Sequence, residues 1–239
     1  MKKDKKILFV VATHGNEKIG LEVVERLKRI GYEKYFDCLV ANPKAFQKNT
    51  RFVDADLNRS YPGKKYSKFY EKRKAFSNLT IEKKYKYVID FHEASKGEND
   101  FVIIPREKLS KKFPLQYIDL DRVLLWPDPK GPMSQVLASA IELEFGMKNR
   151  EREEVISVAF KIAKKFIEKI KNEKFRSTDL RNKEIYYVYG NLTQKEFSGD
   201  MNFLVDFEEV EINDELFFPL LVKQYIKYGI VCYKMKKIQ

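Results

Sequence analysis

Apolar runs and helical stripes alternate along the first three-quarters of the chain. Ile7–Ala12 is uninterrupted apolar sequence, the pattern of a strand covered on both faces. Ile19, Val23, Val24, Leu27 and Ile30 then fall on one stripe, which predicts a helix over Glu17–Ile30 stopped by Gly31. Cys38–Ala41 predicts a second strand, closed by Asn42-Pro43. Tyr66–Phe76 predicts a helix, and Tyr87–Phe91 a third strand that leads straight into His92. Phe101–Ile104 and Val123–Trp126 are short strands punctuated by Pro105 and Pro127, and Ser139–Phe145 is another. Val155, Ile156, Ala159, Ile162, Ala163, Phe166 and Ile170 mark a long amphipathic helix over Glu151–Ile170.

The pattern changes after Lys171. Residues 171–183 are polar and charged and read as an exposed connection. Beyond them come only strands and turns: Ile185–Tyr189, Phe203–Phe207, Leu216–Val222 and Gly229–Lys234, parted by Gly190-Asn191 and Ser198-Gly199-Asp200. A β region of this size is too small to bury an independent core, so it is expected to pack on the first unit. The division expected is residues 1–175 and residues 176–239.

Composition narrows the class. With 44% hydrophobic and 14% aromatic residues the chain can build a core, which excludes a disordered protein. No apolar run approaches the roughly 18 residues of a membrane span. Ile7–Ala12 follows a basic start but is too short for a signal-peptide core, and polar Thr13-His14-Gly15-Asn16-Glu17 replaces a cleavage site, so a cytoplasmic protein is expected. Cys38 and Cys232 form no CxxC pair and are expected to be free thiols. Lys+Arg 47 against Asp+Glu 35 leaves +12, which raises nucleic acid as a partner. The lysines are interleaved with apolar residues, however, as on solvated helix faces. A positive field also draws in a small anionic substrate.

Four features carry chemistry. His14 and Glu17 lie three apart just after a strand, where one turn brings them to the same side and lets them share a Zn²⁺. His92, the only other histidine, also follows an apolar strand. If the two strands are parallel, both imidazoles reach the same sheet edge, and His14, Glu17 and His92 form a His₂Glu set that leaves a position open for water. Arg51, Asp54, Asp56, Asn58 and Arg59 crowd one polar stretch suited to an anionic substrate. Glu142 and Glu144 interrupt an apolar strand and point to one face; Glu144 is nearer the strand's carboxyl end, as a general base beside the metal.

His14-Gly15-Asn16-Glu17, Asn42-Pro43, Thr50-Arg51, Asp56-Leu57-Asn58-Arg59, Asp90-Phe91-His92 and Glu144-Phe145-Gly146 stand in this order. In this the chain resembles the succinylglutamate desuccinylase/aspartoacylase family of the zinc-carboxypeptidase superfamily. The resemblance implies an α/β fold, with a mixed central β-sheet flanked by helices and a small C-terminal β-rich domain. It implies one Zn²⁺ per chain on His14, Glu17 and His92. Arg51 would polarise the scissile carbonyl, Asn58 and Arg59 would grip the substrate carboxylate, Asp56 would orient His14, and Glu144 would be the general base, with Glu142 two residues earlier as its alternate. Met147 replaces the proline usual in aspartoacylases, and Glu93-Ala94-Ser95-Lys96-Gly97 is peculiar to this chain.

The expected function is zinc-dependent hydrolysis of the amide of an N-acyl amino acid or related small N-acyl amine. The nearest alternative is a zinc carboxypeptidase acting on peptides, and a more distant one a basic nucleic-acid-binding protein on a hydrolase scaffold. No membrane partner is expected and nucleic acid is disfavoured; a homo-oligomer is compatible with the sequence, which sets no oligomeric state.

Overall fold

The computed structural model describes residues 5–104, 113–127, 132–172 and 179–239. Its strands are β1 (Ile7–Val11), β2 (Phe36–Val40), β3 (Tyr87–Ala94), β4 (Phe101–Ile104), β5 (Arg122–Leu125), β6 (Ala140–Gly146), β7 (Glu184–Thr193), β8 (Val210–Ile212), β9 (Glu215–Leu220) and β10 (Ile230–Lys237). The helices are α1 (Ile19–Arg29), α2 (Pro43–Lys48), α3 (Tyr70–Glu82), α4 (Met133–Val136) and α5 (Arg152–Asn172). The strands form one mixed sheet in the order β2-β1-β3-β6-β4-β5-β7-β10-β9-β8. β1 pairs in parallel with both β2 and β3, and β3 in parallel with β6.

Strand alternation divides the core between two faces. Ile7, Phe9 and Val11 pack with Tyr87, Ile89 and Phe91 beneath the apolar stripes of α1 and α5. Leu8, Val10 and Val88 point the other way and pack on Leu57, Tyr61, Ala75 and Leu79. Covering on both faces is why β1 reads as continuous apolar sequence. No helix among the described residues is long and apolar enough to cross a membrane, and both cysteines are free.

Several boundaries differ from expectation. α1 begins at Ile19, not Glu17. Asn42-Pro43 does more than end a strand: Asn42 accepts from the Ala45 N–H, and Pro43 opens the short α2. α3 is displaced to Tyr70–Glu82 from the expected Tyr66–Phe76, because Asp54 Oδ2 accepts the Tyr70 N–H at 2.7 Å and sets the helix start there. Phe203–Phe207 is not a strand. Asp200 caps a single 3₁₀ turn over Met201–Phe203, and Phe207 adopts φ 69°, outside the extended region. The strand in this stretch is β8, over Val210–Ile212. Pro105 and residues 173–178 of the expected connection lie outside the described residues.

The C-terminal strands continue the central sheet. β7 pairs in parallel with β5, and β10, β9 and β8 follow as an antiparallel extension. Phe101, Ile103, Leu124 and Trp126 share a core with Val188, Phe207, Leu220, Leu221 and Met235. This joint core brings the turn between β9 and β10 to the sheet edge where β1 and β3 end.

Glu82 at the end of α3 is fully buried; the Tyr61 hydroxyl donates to its Oε1 at 2.9 Å, while Oε2 has no hydrogen-bond partner among the described residues. Burial pushes its carboxyl up from 4.5 to about 8. The folded chain therefore holds this proton through a range in which the unfolded chain has released it. Stability from this group falls as pH rises from the ordinary carboxyl value toward about 8. Glu82→Gln keeps a neutral hydrogen-bonding side chain and should flatten that slope. Thermal melts at about pH 5 and about pH 8.5 should show the native chain losing more of its midpoint than the variant; equal losses would mean that Glu82 stays ionised in the fold.

Candidate active site and metal centre

Since β1 has β2 on one side and β3 on the other, the chain leaving β1 and that leaving β3 border a crevice at the carboxyl ends of the strands. The parallel register, Val10 opposite Asp90, brings His14 and His92 to this edge. The chain turns out of β1 through Ala12 at φ 53°, and the Glu17 N–H donates to the His14 carbonyl at 3.1 Å. That turn, rather than a helical one, juxtaposes the two side chains. Gly15 is required by packing: a Cβ there would sit 2.1 Å from the Ala45 carbonyl carbon. α1 has no cap from its own N-terminal side chains. Instead Glu93 Oε1 accepts the N–H groups of Lys18 and Ile19 at 2.5 and 2.6 Å.

One carboxylate meets both imidazoles. Glu17 Oε1 lies 2.6 Å from His14 Nδ1, and Oε2 lies 3.0 Å from His92 Nδ1. All three side chains are buried, and one ligand atom from each lies within 4.8 Å of the others. A further carboxylate stands behind each ring: His14 Nε2 hydrogen-bonds with Asp56 Oδ1 at 3.1 Å, and His92 Nε2 lies 3.1 Å from Asp90 Oδ2 as an ion-pair contact without hydrogen-bond geometry. The Thr13 hydroxyl donates to Asp90 and fixes it. Burial opposes charge on His14, but Glu17 and Asp56 outweigh it and raise its pKa. His92 is raised likewise against burial, by Asp90 and Glu17. Burial also opposes charge on Glu17, yet His14 and His92 hold it well below the usual carboxylate range. Two nitrogens and a carboxylate converging on one point, each imidazole braced from behind by a carboxylate, suit a cation of the zinc class. The three residues can therefore hold a metal ion.

The polar stretch expected to bind an anion curls over this group. Arg51 donates through Nη2 and Nε to Asp56 Oδ2 at 3.0 and 3.2 Å, and its Nη1 is 3.7 Å from Glu17 Oε1. Its carbonyl accepts the Gly15 N–H at 3.2 Å. Asn58 is buried and donates from Nδ2 to Glu142 Oε2 at 3.0 Å, whereas Arg59 is exposed and donates to the Asn58 carbonyl. This loop is anchored from below. Buried Glu71 on α3 accepts the N–H groups of Val53, Asp54 and Ala55 at 2.7, 3.0 and 3.0 Å, and Asn42 Nδ2 at 3.3 Å. Asp54 returns the contact by capping α3.

β6 pairs in register with β3, setting Glu144 opposite His92 and Glu142 opposite Asp90. Both glutamates line one cavity with the metal-ligand group, Arg51, Asn58 and Arg59. Burial pushes the Glu144 carboxyl up to about 7. Glu142 accepts hydrogen bonds from Asn58 Nδ2 and from the Ser134 hydroxyl. The cavity also takes Trp126 from after β5, and Leu221, Gln224 and Tyr225 from the turn between β9 and β10. Burial pushes the Tyr225 hydroxyl up to about 12. The sequence presents Asp90 only as part of Asp90-Phe91-His92, with no role of its own, and does not mark Glu71 or Tyr225. Asp90 was within reach, two residues before His92 and so on the same strand face; Glu71 and Tyr225 come from remote segments with no local mark.

The profile of the succinylglutamate desuccinylase/aspartoacylase catalytic domain matches residues 3–170. The chain belongs to this family. Aspartoacylase from Mus musculus is 32% identical over 126 residues, 41% of this chain and 40% of that one. A probable aspartoacylase from Prochlorococcus marinus (strain MIT 9215) is 40% identical over 76 residues, 29% of this chain and 24% of that one. These alignments span well under two-thirds of the relatives' lengths. In fold, the chain is similar to a succinylglutamate desuccinylase from Chromobacterium violaceum, with TM-score 0.75 and 17% identity over 98% of this chain and 85% of that one. It is also similar to murine aminoacylase 3, with TM-score 0.72 and 18% identity over 98% and 95%.

Glu71→Gln replaces one accepting oxygen with an amide donor facing backbone N–H groups. Amide hydrogen exchange over residues 53–55 should rise by at least about tenfold while the β1 amides stay protected. Unchanged exchange would show that other contacts hold the loop.

Proposed function

We propose that the chain is a zinc-dependent amidohydrolase that cleaves the amide of an N-acyl amino acid or a related small N-acyl amine. The observation that carries this reading is the single buried Glu17 carboxylate shared by His14 Nδ1 and His92 Nδ1, in one cavity with Arg51 and Glu144. Relatives named as aspartoacylases support it. Bound at His14, Glu17 and His92, Zn²⁺ would supply a Lewis acid and a water of lowered pKa. Glu144, poised near neutral pH, takes the proton of the attacking water and returns it to the leaving amine nitrogen. Arg51 donates to the oxyanion that develops on the carbonyl, while Asp56 keeps both His14 and Arg51 in orientation.

Arg59, at the exposed mouth, holds the substrate carboxylate. Asn58 assists with the amide hydrogen that Glu142 does not take. Leu221, Gln224 and Tyr225 narrow the cavity from the C-terminal strands, which favours a small substrate over a peptide. In this reading residues 1–175 form the catalytic unit and residues 176–239 the β-rich unit that walls it.

Metal analysis and a turnover assay test the reading together. A chelator should abolish amine release from N-acyl amino acids, and zinc should restore it. Glu144→Gln should keep zinc content near that of the native chain while turnover falls by about 10²-fold or more, because it removes a proton carrier but no ligand. A Glu144→Gln enzyme of native turnover would remove Glu144 from the reaction.

Arg59→Lys separates carboxylate binding from catalysis. A lysine keeps the charge but loses the two-pronged fit, so the variant should weaken an N-acyl amino acid by about tenfold or more and its decarboxylated analogue far less. Equal losses on the two substrates would mean that no carboxylate rests on Arg59.

A further inference from the structure

One side of the active-site cavity is rich in acceptors and aromatic rings; Arg59 lines the same cavity and acts on Glu142 through space, without a direct ion pair among the described residues. Glu142 is 2% exposed. Among the described residues it makes no ion pair with a lysine or arginine, and His92 Nε2 lies 3.8 Å from its Oε2. A carboxylate offers about four acceptor directions; Glu142 uses one on Asn58 Nδ2 and one on the Ser134 hydroxyl. Because the Asn58 amide turns its nitrogen to Glu142, its Oδ1 is left over. That atom is buried without a hydrogen-bond partner among the described residues, on a side chain only 6% exposed. A buried carboxylate with no lysine or arginine in direct contact and a buried amide oxygen without a donor are both costly.

The surrounding walls suit a cation. Ile103 stands opposite Glu142 across the β4–β6 pairing, and Trp126 and Tyr225 line the same cavity. Both rings pack edge-on against Tyr233, with centroids 4.6 and 5.8 Å from it, which holds them in place. Aromatic faces beside a carboxylate attract ammonium and guanidinium groups through the ring quadrupole and the charge together. A second carboxylate on the substrate would face Glu142 across the cavity and be repelled.

We infer that Glu142, Asn58 Oδ1, Trp126 and Tyr225 form a subsite for a positively charged group of the substrate, so that the preferred substrate is an N-acylated basic amino acid. This rests on the amidohydrolase reading and names its substrate class. The carboxylate at Arg59 and the cation at Glu142 then fix the molecule at two points, with the scissile amide presented to Arg51 and Glu144. Hydrolysis consumes one water and releases the acyl group as a carboxylate and the basic amino acid with a free amine.

The zinc-loaded full chain is assayed with Nα-acetyl-lysine, Nα-acetyl-norleucine and Nα-acetyl-glutamate, matched in acyl group and similar in size. The lysine derivative should exceed the norleucine derivative in kcat/KM by about tenfold or more, with the glutamate derivative slowest. Independently of turnover, calorimetric titration with the free amino acids should show lysine binding at least about tenfold tighter than norleucine. In Glu142→Gln both lysine-to-norleucine ratios should fall toward one; if that variant does not fold, Trp126→Leu should lower them by removing an aromatic face. Equal binding of lysine and norleucine, or a folded Glu142→Gln that keeps the native ratio, would overturn the inference. Lysine preference in binding with no cleavage of any acylated substrate would uphold the subsite and sink the amidohydrolase reading. Cleavage of all three without charge preference would do the reverse.

Discussion

The site depends on one buried carboxylate held between two imidazoles. Glu17 meets Nδ1 of both His14 and His92. Charged groups removed from water are tolerable only when each is paired and hydrogen-bonded. The surrounding structure meets that demand in layers. Asp56 hydrogen-bonds with the outer nitrogen of His14, Asp90 sets its charge 3.1 Å from that of His92, Thr13 donates to Asp90, and Arg51 donates to Asp56. Each layer comes from a different element, so the parallel pairing of β1 with β3, the turn after β1 and the polar loop after α2 must all be right together.

The same logic extends to groups that never touch a substrate. Glu71 gathers three consecutive backbone N–H groups of the loop that carries Arg51 and Arg59. Glu93 does the same for the first amides of α1. Carboxylates here act as anchors for otherwise unpaired donors, which gives a loop the rigidity of an element end.

The C-terminal strands serve the site by continuity. β7 adds to β5 and carries the last three strands outward, and the shared core around Trp126, Leu220 and Phe207 places Tyr225 in the cavity. A separate module on a flexible connection would leave that wall free to move. As an extension of the sheet, it shapes the cavity with the stiffness of the sheet itself, and this lets residues far apart in the chain line one cavity.

Much of the centre was legible in the chain itself. Alternation and stripe spacing placed most of the strands and the two amphipathic helices, α1 and α5, because covering a face imposes its period on the residues that cover it. His14, Glu17 and His92 stood out because both histidines of the chain follow apolar runs, although β3 continues through His92 to Ala94. The element starts were less legible: α3 begins where Asp54, sixteen residues earlier, caps it, and Phe203–Phe207 looks like a strand until the Asp200 cap and the φ of Phe207 turn it aside. Glu142 and Glu144 were indistinguishable by alternation. Only the β3–β6 register and the Asn58 contact set one opposite His92 and tie the other to a side chain of the polar loop after α2. Asp90, Glu71, Trp126 and Tyr225 gained their places from pairings across many residues. The sequence by itself determined which groups can do chemistry and which faces are buried, since both follow from residue type and local period. The tertiary structure alone decided which carboxylate meets which nitrogen, because those distances are fixed by strand register and packing between distant segments.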